Sequence, residues 1–171
     1  MQAVIRSSQL NEPLSRAIAH KLCQQRVDFI VKLNRWTHFV TLTYSQPNGS
    51  YTIGQIEVLR RSRLFLSRLN RKFFGKHGCR RNGYRIGSCA VLGWGAYGHH
   101  PHTHWLLAKP QQMTDAEFNC HIEQIASTTP GIGKERDIQT VFSNRVVEYI
   151  VNHGFEGWID QVTFVAKCPV R

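Results

Sequence analysis

Two histidines separated by a single residue are the positions in this chain best suited to chemistry. His102 and His104 run directly into an apolar segment, residues 105–108, whose composition predicts a buried strand. Alternate side chains of a strand share one face of a sheet, so the two imidazoles are expected to project together, about 6.6 Å apart along the backbone. Imidazoles paired in this way are suitable ligands for a divalent metal ion.

A tyrosine and a third histidine form the second candidate group. The pattern of residues 146–154 predicts a short helix in which Tyr149 and His153 stand four apart and therefore lie on one face. A phenol is a weak nucleophile while it is protonated, but a metal-bound phosphate and nearby cations favour the phenolate. We expect His153 to be the third metal ligand, because it shares a helix face with Tyr149. The less favoured alternatives are Glu57, Glu148 and Asp137, with His99 and His100 in reserve.

The chemistry that these residue types predict is cleavage of a phosphodiester. A divalent ion would stabilise the negative charge that develops on the phosphate during the reaction. Attack by Tyr149 would leave a phosphotyrosine link, which conserves the energy of the broken bond. We therefore expect nicking and joining of strands, without a nucleotide cofactor, rather than hydrolysis.

The chain carries a strong excess of positive charge. It contains 22 Lys and Arg against 11 Asp and Glu, a formal net charge of +11, which indicates a polyanionic partner such as nucleic acid. No acidic residue occurs between Glu57 and Asp115. We expect nucleic-acid contacts, rather than a merely solvated helix face, from the cations of this segment: Arg60, Arg61, Arg63, Arg68, Arg71, Lys72, Arg80, Arg81 and Arg85. Four aromatic residues nearby are candidates for stacking on unpaired bases: Phe74, Tyr84, Trp94 and Tyr97.

Helix and strand signals follow one another in an order that predicts the fold. The predicted elements are a helix up to residue 34, a strand at 38–44, a helix at about 54–74, strands at 86–94 and 102–108, a helix from 114, a strand at 136–141, the tyrosine helix ending at Gly154, and a possible last strand within 158–165. This order contains the split βαβ arrangement of a ferredoxin-like domain. We therefore predict an α+β fold, an antiparallel sheet with helices packed on it.

Length and composition predict one domain in the cytoplasm. We expect a single domain over residues 1–171, with a core at 38–153, a helical extension at 1–36 and a tail at 155–171. The five cysteines form no CxxC pair, so neither a disulfide framework nor a zinc ribbon is indicated. No segment reaches the roughly 18 apolar residues of a membrane span, and we expect no membrane partner.

Three landmarks together resemble the HUH endonuclease superfamily, whose members nick single-stranded DNA. Residues 39–44, Phe-Val-Thr-Leu-Thr-Tyr, are similar to the first motif of rolling-circle replication initiators. The run His102-Thr103-His104, followed by Trp-Leu-Leu, is similar to the metal-binding motif, and Tyr149 lies where the nucleophile helix is expected. The resemblance implies a ferredoxin-like palm, a bound Mn²⁺ or Mg²⁺, a 5′-phosphotyrosine intermediate and a free 3′-hydroxyl that can prime synthesis.

The resemblance leaves two biological roles open. The leading expectation is a replication initiator of a phage or plasmid, which acts on single-stranded DNA or a hairpin at a replication origin with a host helicase and polymerase. Two positions depart from that pattern: Thr103 replaces an apolar residue, and Asn152 stands where many initiators have lysine. A candidate ligand four residues after Tyr149 is instead similar to the single-tyrosine transposases of insertion sequences and their REP-associated relatives. A non-catalytic basic module that binds nucleic acid is the alternative from another class.

Overall fold

The computed structural model describes residues 12–33, 36–45, 53–93 and 101–155. Within these ranges the chain forms four helices and four strands. They are α1 (Glu12–Leu33), β1 (His38–Tyr44), α2 (Gln55–Arg81), β2 (Gly87–Gly93), β3 (His102–Ala108), α3 (Asp115–Thr128), β4 (Ile132–Thr140) and α4 (Arg145–Phe155). The predicted α+β class and the predicted order of these elements are both confirmed.

The four strands form one antiparallel sheet with the order β2-β3-β1-β4. Each neighbouring pair is antiparallel, and β1 and β3 occupy the centre. Helix α2 connects β1 to β2, with β3 lying between those two strands. The histidine-bearing strand β3 is therefore hydrogen-bonded on both sides, which holds its side chains in fixed register.

Alternation of side chains along the strands divides the core between the two faces of the sheet. We call these the α2/α3 face and the α1/α4 face, after the helices that cover them. The α2/α3 face packs Val40, Leu42, Trp105 and Leu107 against Val58, Phe65, Leu69, Phe118 and Ile122. The α1/α4 face packs Phe39, Val91 and Leu106 against Val27, Ile30, Val147, Ile150 and Val151. His102 and His104 alternate with the first set, so they lie on the α1/α4 face.

Thr103, between the two histidines, is the centre of a buried polar network on the α2/α3 face. Its hydroxyl lies 2.7 Å from the Tyr44 hydroxyl and accepts a hydrogen bond from Trp105 Nε1 at 2.7 Å. The Tyr44 hydroxyl also lies 2.6 Å from Ser62 Oγ on α2. Burial raises the pKa of the Tyr44 phenol, so it stays protonated and able to donate. An apolar residue at 103 would leave the buried Trp105 N–H without this acceptor, which accounts for the threonine.

Two element boundaries differ from the sequence prediction by more than one residue, within the part of the chain that is described. Helix α2 runs to Arg81 rather than to about residue 74, because the chain resumes helical geometry after Gly75, where φ is 65° and ψ is 170°. Strand β4 begins at Ile132 rather than 136, because Gly131, with φ of 80°, completes the turn at once and its carbonyl accepts from Ser45 N. The strand predicted within 158–165 lies outside the described residues.

His38 is a buried ionisable group outside the metal site predicted from the sequence. Its ring makes an edge contact with Phe118 at 4.8 Å between centroids, and its Nδ1 lies 2.9 Å from Thr37 Oγ1. Its Nε2 is buried and has no hydrogen-bond partner within the described part of the chain. Burial lowers the pKa of the imidazole; Asp115 partly offsets that effect and Lys109 adds to it.

We expect the free energy of unfolding to fall as the pH drops below 6.5. The unfolded chain takes up a proton at His38 near its ordinary pKa of 6.5, whereas the folded chain resists protonation, so low pH favours unfolding. This contribution is at most about 1.4 kcal/mol at pH 5.5. Urea unfolding of His38→Gln at pH 7.5 and 5.5 should show a smaller pH dependence than the wild type. The exposed-residue control His20→Gln should keep the wild-type dependence; equal behaviour of the two variants would contradict the assignment.

Candidate active site

The rings of His102, His104 and Tyr149, the predicted metal ligands and nucleophile, meet on the α1/α4 face. The ring centroids of His102 and His104 are 4.7 Å apart, and those of His104 and Tyr149 are 5.5 Å apart. The residues come from β3 and α4, which are separated by α3 and β4 in the chain. The fold therefore brings together the two predicted metal ligands and the predicted nucleophile.

Tyr149 lies over the sheet while keeping a route to solvent. Helix α4 buries Val147, Ile150 and Val151 against the sheet, and Tyr149 is 46 % exposed beside them. Its ring makes edge contacts with His104 and, at 5.9 Å between centroids, with Phe39. The residue is therefore packed on one side and in contact with solvent over nearly half of its surface.

His104 is held by residues of the neighbouring strand β1. Its Nδ1 lies 3.0 Å from the hydroxyl of Thr41, which stands directly opposite it in the sheet. Phe39 stacks on the imidazole at 5.3 Å with an interplanar angle of 19°. When Nδ1 carries the proton and donates to Thr41, the Nε2 lone pair is the one that can ligate a metal. Thr41 and Phe39 were not among the residues predicted for the site, although the alternation of side chains along β1 places both on one face.

His102 owes its position to a glycine on the other neighbouring strand. Gly93 of β2 stands opposite His102, and the imidazole lies over its Cα. A Cβ placed at Gly93 would come within 2.4 Å of His102 Nε2, closer than real contacts allow. The observed position of the His102 ring therefore requires a glycine at 93. The sequence prediction did not include this role of Gly93.

We expect Gly93→Ala to displace the His102 ring and to weaken Mn²⁺ binding about 10- to 100-fold, the effect typical of disturbing the groups that orient a ligand. Isothermal titration calorimetry with Mn²⁺ measures the change. The matched control is Gly54→Ala, because a Cβ at that exposed position meets no atom within 4 Å. Wild-type Mn²⁺ affinity in Gly93→Ala would show that the ring position does not matter for the ion.

The donor set fits a divalent cation in part. Two neighbouring imidazoles, one of them oriented by a hydroxyl, suit Mn²⁺ and other divalent ions that accept nitrogen ligands. Position 153 lies one helical turn after Tyr149 on the backbone of α4, but the side chain of His153 lies outside the described residues. Among the side chains that are described, no group of three or more His, Cys, Asp or Glu stands together. The assignment of His153 as the third metal ligand therefore stays a prediction.

The three carboxylates named as alternative third ligands lie on different elements. Glu148 is exposed on α4, next to Tyr149 in the chain. Glu57 lies on α2, which covers the other face of the sheet, and accepts from Arg60 Nε and Arg61 Nε at 2.7 Å each. Those bonds lower the pKa of its carboxyl to about 2. Asp137 stands on β4 opposite Thr41, is exposed and accepts from Gln139 Nε2 at 2.6 Å. Of Glu57 and Asp137, only Asp137 belongs to a strand of the sheet, beside the partner of His104.

The nine cations predicted to bind nucleic acid fall into two groups. Three donate to backbone carbonyls: Arg61 to Ser45 and Gly131, Arg68 to Thr128, and Arg85 to Cys79 and Tyr84. Their guanidinium groups therefore help to hold the fold together. The other six are exposed: Arg60, Arg63, Arg71, Lys72, Arg80 and Arg81. All six belong to α2, and the four before the break at Gly75 lie on the part of the helix that packs on the α2/α3 face.

Two of the four aromatic residues predicted to stack on bases belong to the described part of the chain. Phe74 and Tyr84 are half-buried and their ring centroids lie 6.0 Å apart. Trp94, Tyr97, His99 and His100 lie outside the described residues.

None of the helices in the described ranges has the length and apolar character needed to cross a membrane.

Comparison with known proteins adds no relative. No protein family, curated protein or solved structure matches this chain at a significant level. Its function is therefore inferred from its own residues and their geometry.

Proposed function

We propose that this protein is a metal-dependent enzyme that cuts and rejoins single-stranded DNA through a tyrosine. The single observation that carries the proposal is the contact of the His102, His104 and Tyr149 rings, at 4.7 and 5.5 Å, on one sheet face. Either histidine alone or a tyrosine alone is commonly structural. Their convergence from separate elements, with a partly exposed phenol, is what favours chemistry.

The topology supports the same proposal. The strand order β2-β3-β1-β4, with α2 and α3 as connections on one face, is the order expected of a ferredoxin-like sheet. The resemblance to the HUH endonucleases implies a ferredoxin-like palm of this kind with a bound divalent ion. β3 is central here, and its histidines face the helix that bears Tyr149.

The reaction we propose is an in-line transfer of a phosphoryl group to the phenol. The Tyr149 oxygen attacks the phosphorus, an O–P bond forms to the tyrosine, and the bond from phosphorus to the 3′ oxygen breaks. The phenol proton passes to solvent, and the leaving 3′ oxygen takes up a proton. The products are a 5′-phosphotyrosine link and a free 3′-hydroxyl, and reversal of the step rejoins the strand.

His102 and His104 would hold the divalent ion, Mn²⁺ or Mg²⁺, and His153 is proposed as the third ligand. Bound there, the ion would supply positive charge for the phosphate oxygens. Thr41 and Phe39 orient the His104 ring, and Gly93 leaves room for His102. The packed side of Tyr149 fixes its ring against the same imidazole, so nucleophile and ligands keep a constant separation.

Two biological settings would use this chemistry. Initiation of rolling-circle replication on a phage or plasmid uses the free 3′-hydroxyl as a primer, with unwinding by a host helicase and synthesis by a host polymerase. Strand transfer by a single-tyrosine transposase uses the reverse step on a second DNA end, and the four-residue spacing of Tyr149 and His153 favours it. An origin with one inverted repeat beside the gene would favour the initiator, and hairpins at both ends of the element would favour the transposase.

The experiment is a search for the covalent intermediate. The protein is incubated with oligonucleotides that tile the flanking DNA of its gene and with a randomised single-stranded library, in Mn²⁺ or in EDTA. We expect a DNA-linked species that persists in a denaturing gel and requires the metal. Its absence from every DNA tested at high protein concentration would reject the enzyme in favour of a non-catalytic binding module.

A further inference from the structure

We propose that Phe142 and Arg145, at the start of the tyrosine helix, bind a nucleotide that neighbours the scissile phosphate. Phe142 stacks on the base of that nucleotide, and Arg145 contacts its phosphate. This inference rests on the proposed function, since it takes a single strand of DNA at Tyr149 as the ligand. It adds two binding residues that the sequence analysis did not select. We call this pair of residues the entry site.

The backbone next to the entry site is anchored to the body of the protein. Val141 N, just before Phe142, donates to the carbonyl of Thr37 at 2.8 Å and so extends the pairing of β1 with β4. The side chains of Val141 and Val146 pack against the core of the α1/α4 face. The connection between β4 and α4 is therefore held on the face of the sheet that carries Tyr149.

Phe142 has the highest exposed fraction among the large hydrophobic residues that are described, at 93 %. Phe29 on α1, which is also exposed, reaches 59 %. An aromatic ring carries π faces, and a ring held in solvent can present them to an unpaired base. Stacking of this kind tolerates any sequence, because every base has a π face. Phe142 therefore suits contact with the base of a single strand.

Arg145 is the one lysine or arginine of α4, and it shares a helix face with Tyr149. The two residues stand four positions apart, which places them on adjacent turns about 6 Å apart along the helix axis. Arg145 is exposed and forms no ion pair with any described residue. Asn152, three positions after Tyr149, is neutral. Arg145 is therefore the guanidinium that α4 offers to a phosphate near the phenol, with a geometry suited to phosphate oxygens.

The combination of a ring and a cation favours a single strand over a duplex. Bases of a duplex are paired and stacked on one another, so a protein ring reaches them only when the duplex opens. Proteins that bind single strands combine aromatic side chains for the bases with positive charge for the backbone. An exposed apolar residue or an exposed arginine is by itself ordinary on a surface. Their place just before Tyr149 is what favours a role in holding the strand for cleavage.

Binding of single strands without cleavage tests the contact of Phe142 with a base. The probes are a fluorescent thymidine strand and an abasic strand of equal length and charge, measured by anisotropy in EDTA. Phe142→Ala should weaken binding of the thymidine strand at least about fivefold and leave binding of the abasic strand unchanged. The matched control is Phe29→Ala, which removes an exposed phenylalanine from α1 and should leave both affinities unchanged.

A salt series with the same probes tests the contact of Arg145 with a phosphate. Arg145→Gln should weaken binding of both strands by the same factor, because both have the same phosphates. It should also reduce the slope of log affinity against log salt by about 0.7, the value for one phosphate contact on a single strand. The control is Lys32→Gln, which removes one exposed charge from α1 and should keep the wild-type slope.

Four results would overturn the inference. Equal loss of both strands in Phe142→Ala would show that the ring takes no base, and an equal loss in Phe29→Ala would assign the effect to exposed rings in general. An unchanged salt slope in Arg145→Gln would exclude the phosphate contact. Wild-type binding in both variants would reject the entry site and leave the proposed function intact. Failure of the proposed function has a different signature, because both variants would then bind as expected while the wild type formed no covalent adduct.

Discussion

Tyr149→Phe should abolish the covalent DNA adduct, with a loss of at least about 10⁴-fold in the rate of its formation. The substitution removes only the oxygen that we propose to bond to phosphorus, and loss of a nucleophile has effects of that size in other covalent enzymes. The ring contacts with His104 and Phe39 remain possible for phenylalanine. The measurement is the time course of adduct formation in a denaturing gel.

The control for this result is another tyrosine that loses its hydroxyl. Tyr44→Phe breaks buried hydrogen bonds to Ser62 and Thr103 on the opposite face, so it should lower the free energy of unfolding by about 1–3 kcal/mol. It should nevertheless form the adduct under conditions in which it is folded. An adduct in Tyr149→Phe, or its loss in Tyr44→Phe alone, would show that Tyr149 is not the nucleophile.

The elements that carry the site were predictable because their signals are local. The apolar composition that predicts a strand at 102–108 matches β3 residue for residue. The tyrosine helix is also found where the apolar spacing and its flanking residues place it, at Arg145–Phe155. Such patterns depend on neighbours within a few positions, and they were sufficient to select His102, His104 and Tyr149.

The surroundings of those residues were not predictable in the same way, because they depend on strand register. Thr41 and Gly93 touch the histidines only because β1 and β2 flank β3 with a particular pairing. Nothing near Gly93 in the sequence indicates that an imidazole occupies the space of its missing side chain. The same limit applies to the choice of a third ligand, since an acidic residue such as Glu57 can lie on the wrong face.

Charge composition predicted a polyanionic partner. It did not predict which cations are exposed and which are bound to backbone carbonyls of the fold. Arg61 is 12 % exposed in its side chain and donates to two backbone carbonyls, so its charge serves the connection of α2 to the turn at Gly131. Arg71 belongs to the same helix and is exposed. The difference between these arginines follows from which side of α2 meets the sheet. The tertiary packing therefore decides which positive charges are exposed to a polyanionic partner, such as the DNA that we propose.

His104→Ala should lower the affinity for Mn²⁺ by at least about 100-fold and remove the metal-dependent adduct. His104 is the more buried of the two proposed ligands on β3, being 5 % exposed, and it contacts Thr41 and Phe39. Loss of a direct ligand should exceed the 10- to 100-fold effect of losing a group that only orients one. Thr41→Val, which keeps the shape of the side chain, should show that smaller effect. Calorimetric titration with Mn²⁺ measures both.

The control is His77→Ala, which removes an exposed imidazole from α2 on the other face of the sheet. It should bind Mn²⁺ with the affinity of the wild type. Circular dichroism and urea unfolding of His104→Ala separate loss of the ion from loss of the fold, because a folded variant that binds no Mn²⁺ places His104 among the ligands. If folded His104→Ala binds Mn²⁺ as the wild type does, the ion site lies elsewhere. The ion that the proposed reaction requires would then be held by other residues, and Asp137, which stands opposite Thr41 in the sheet, would be the next position to vary.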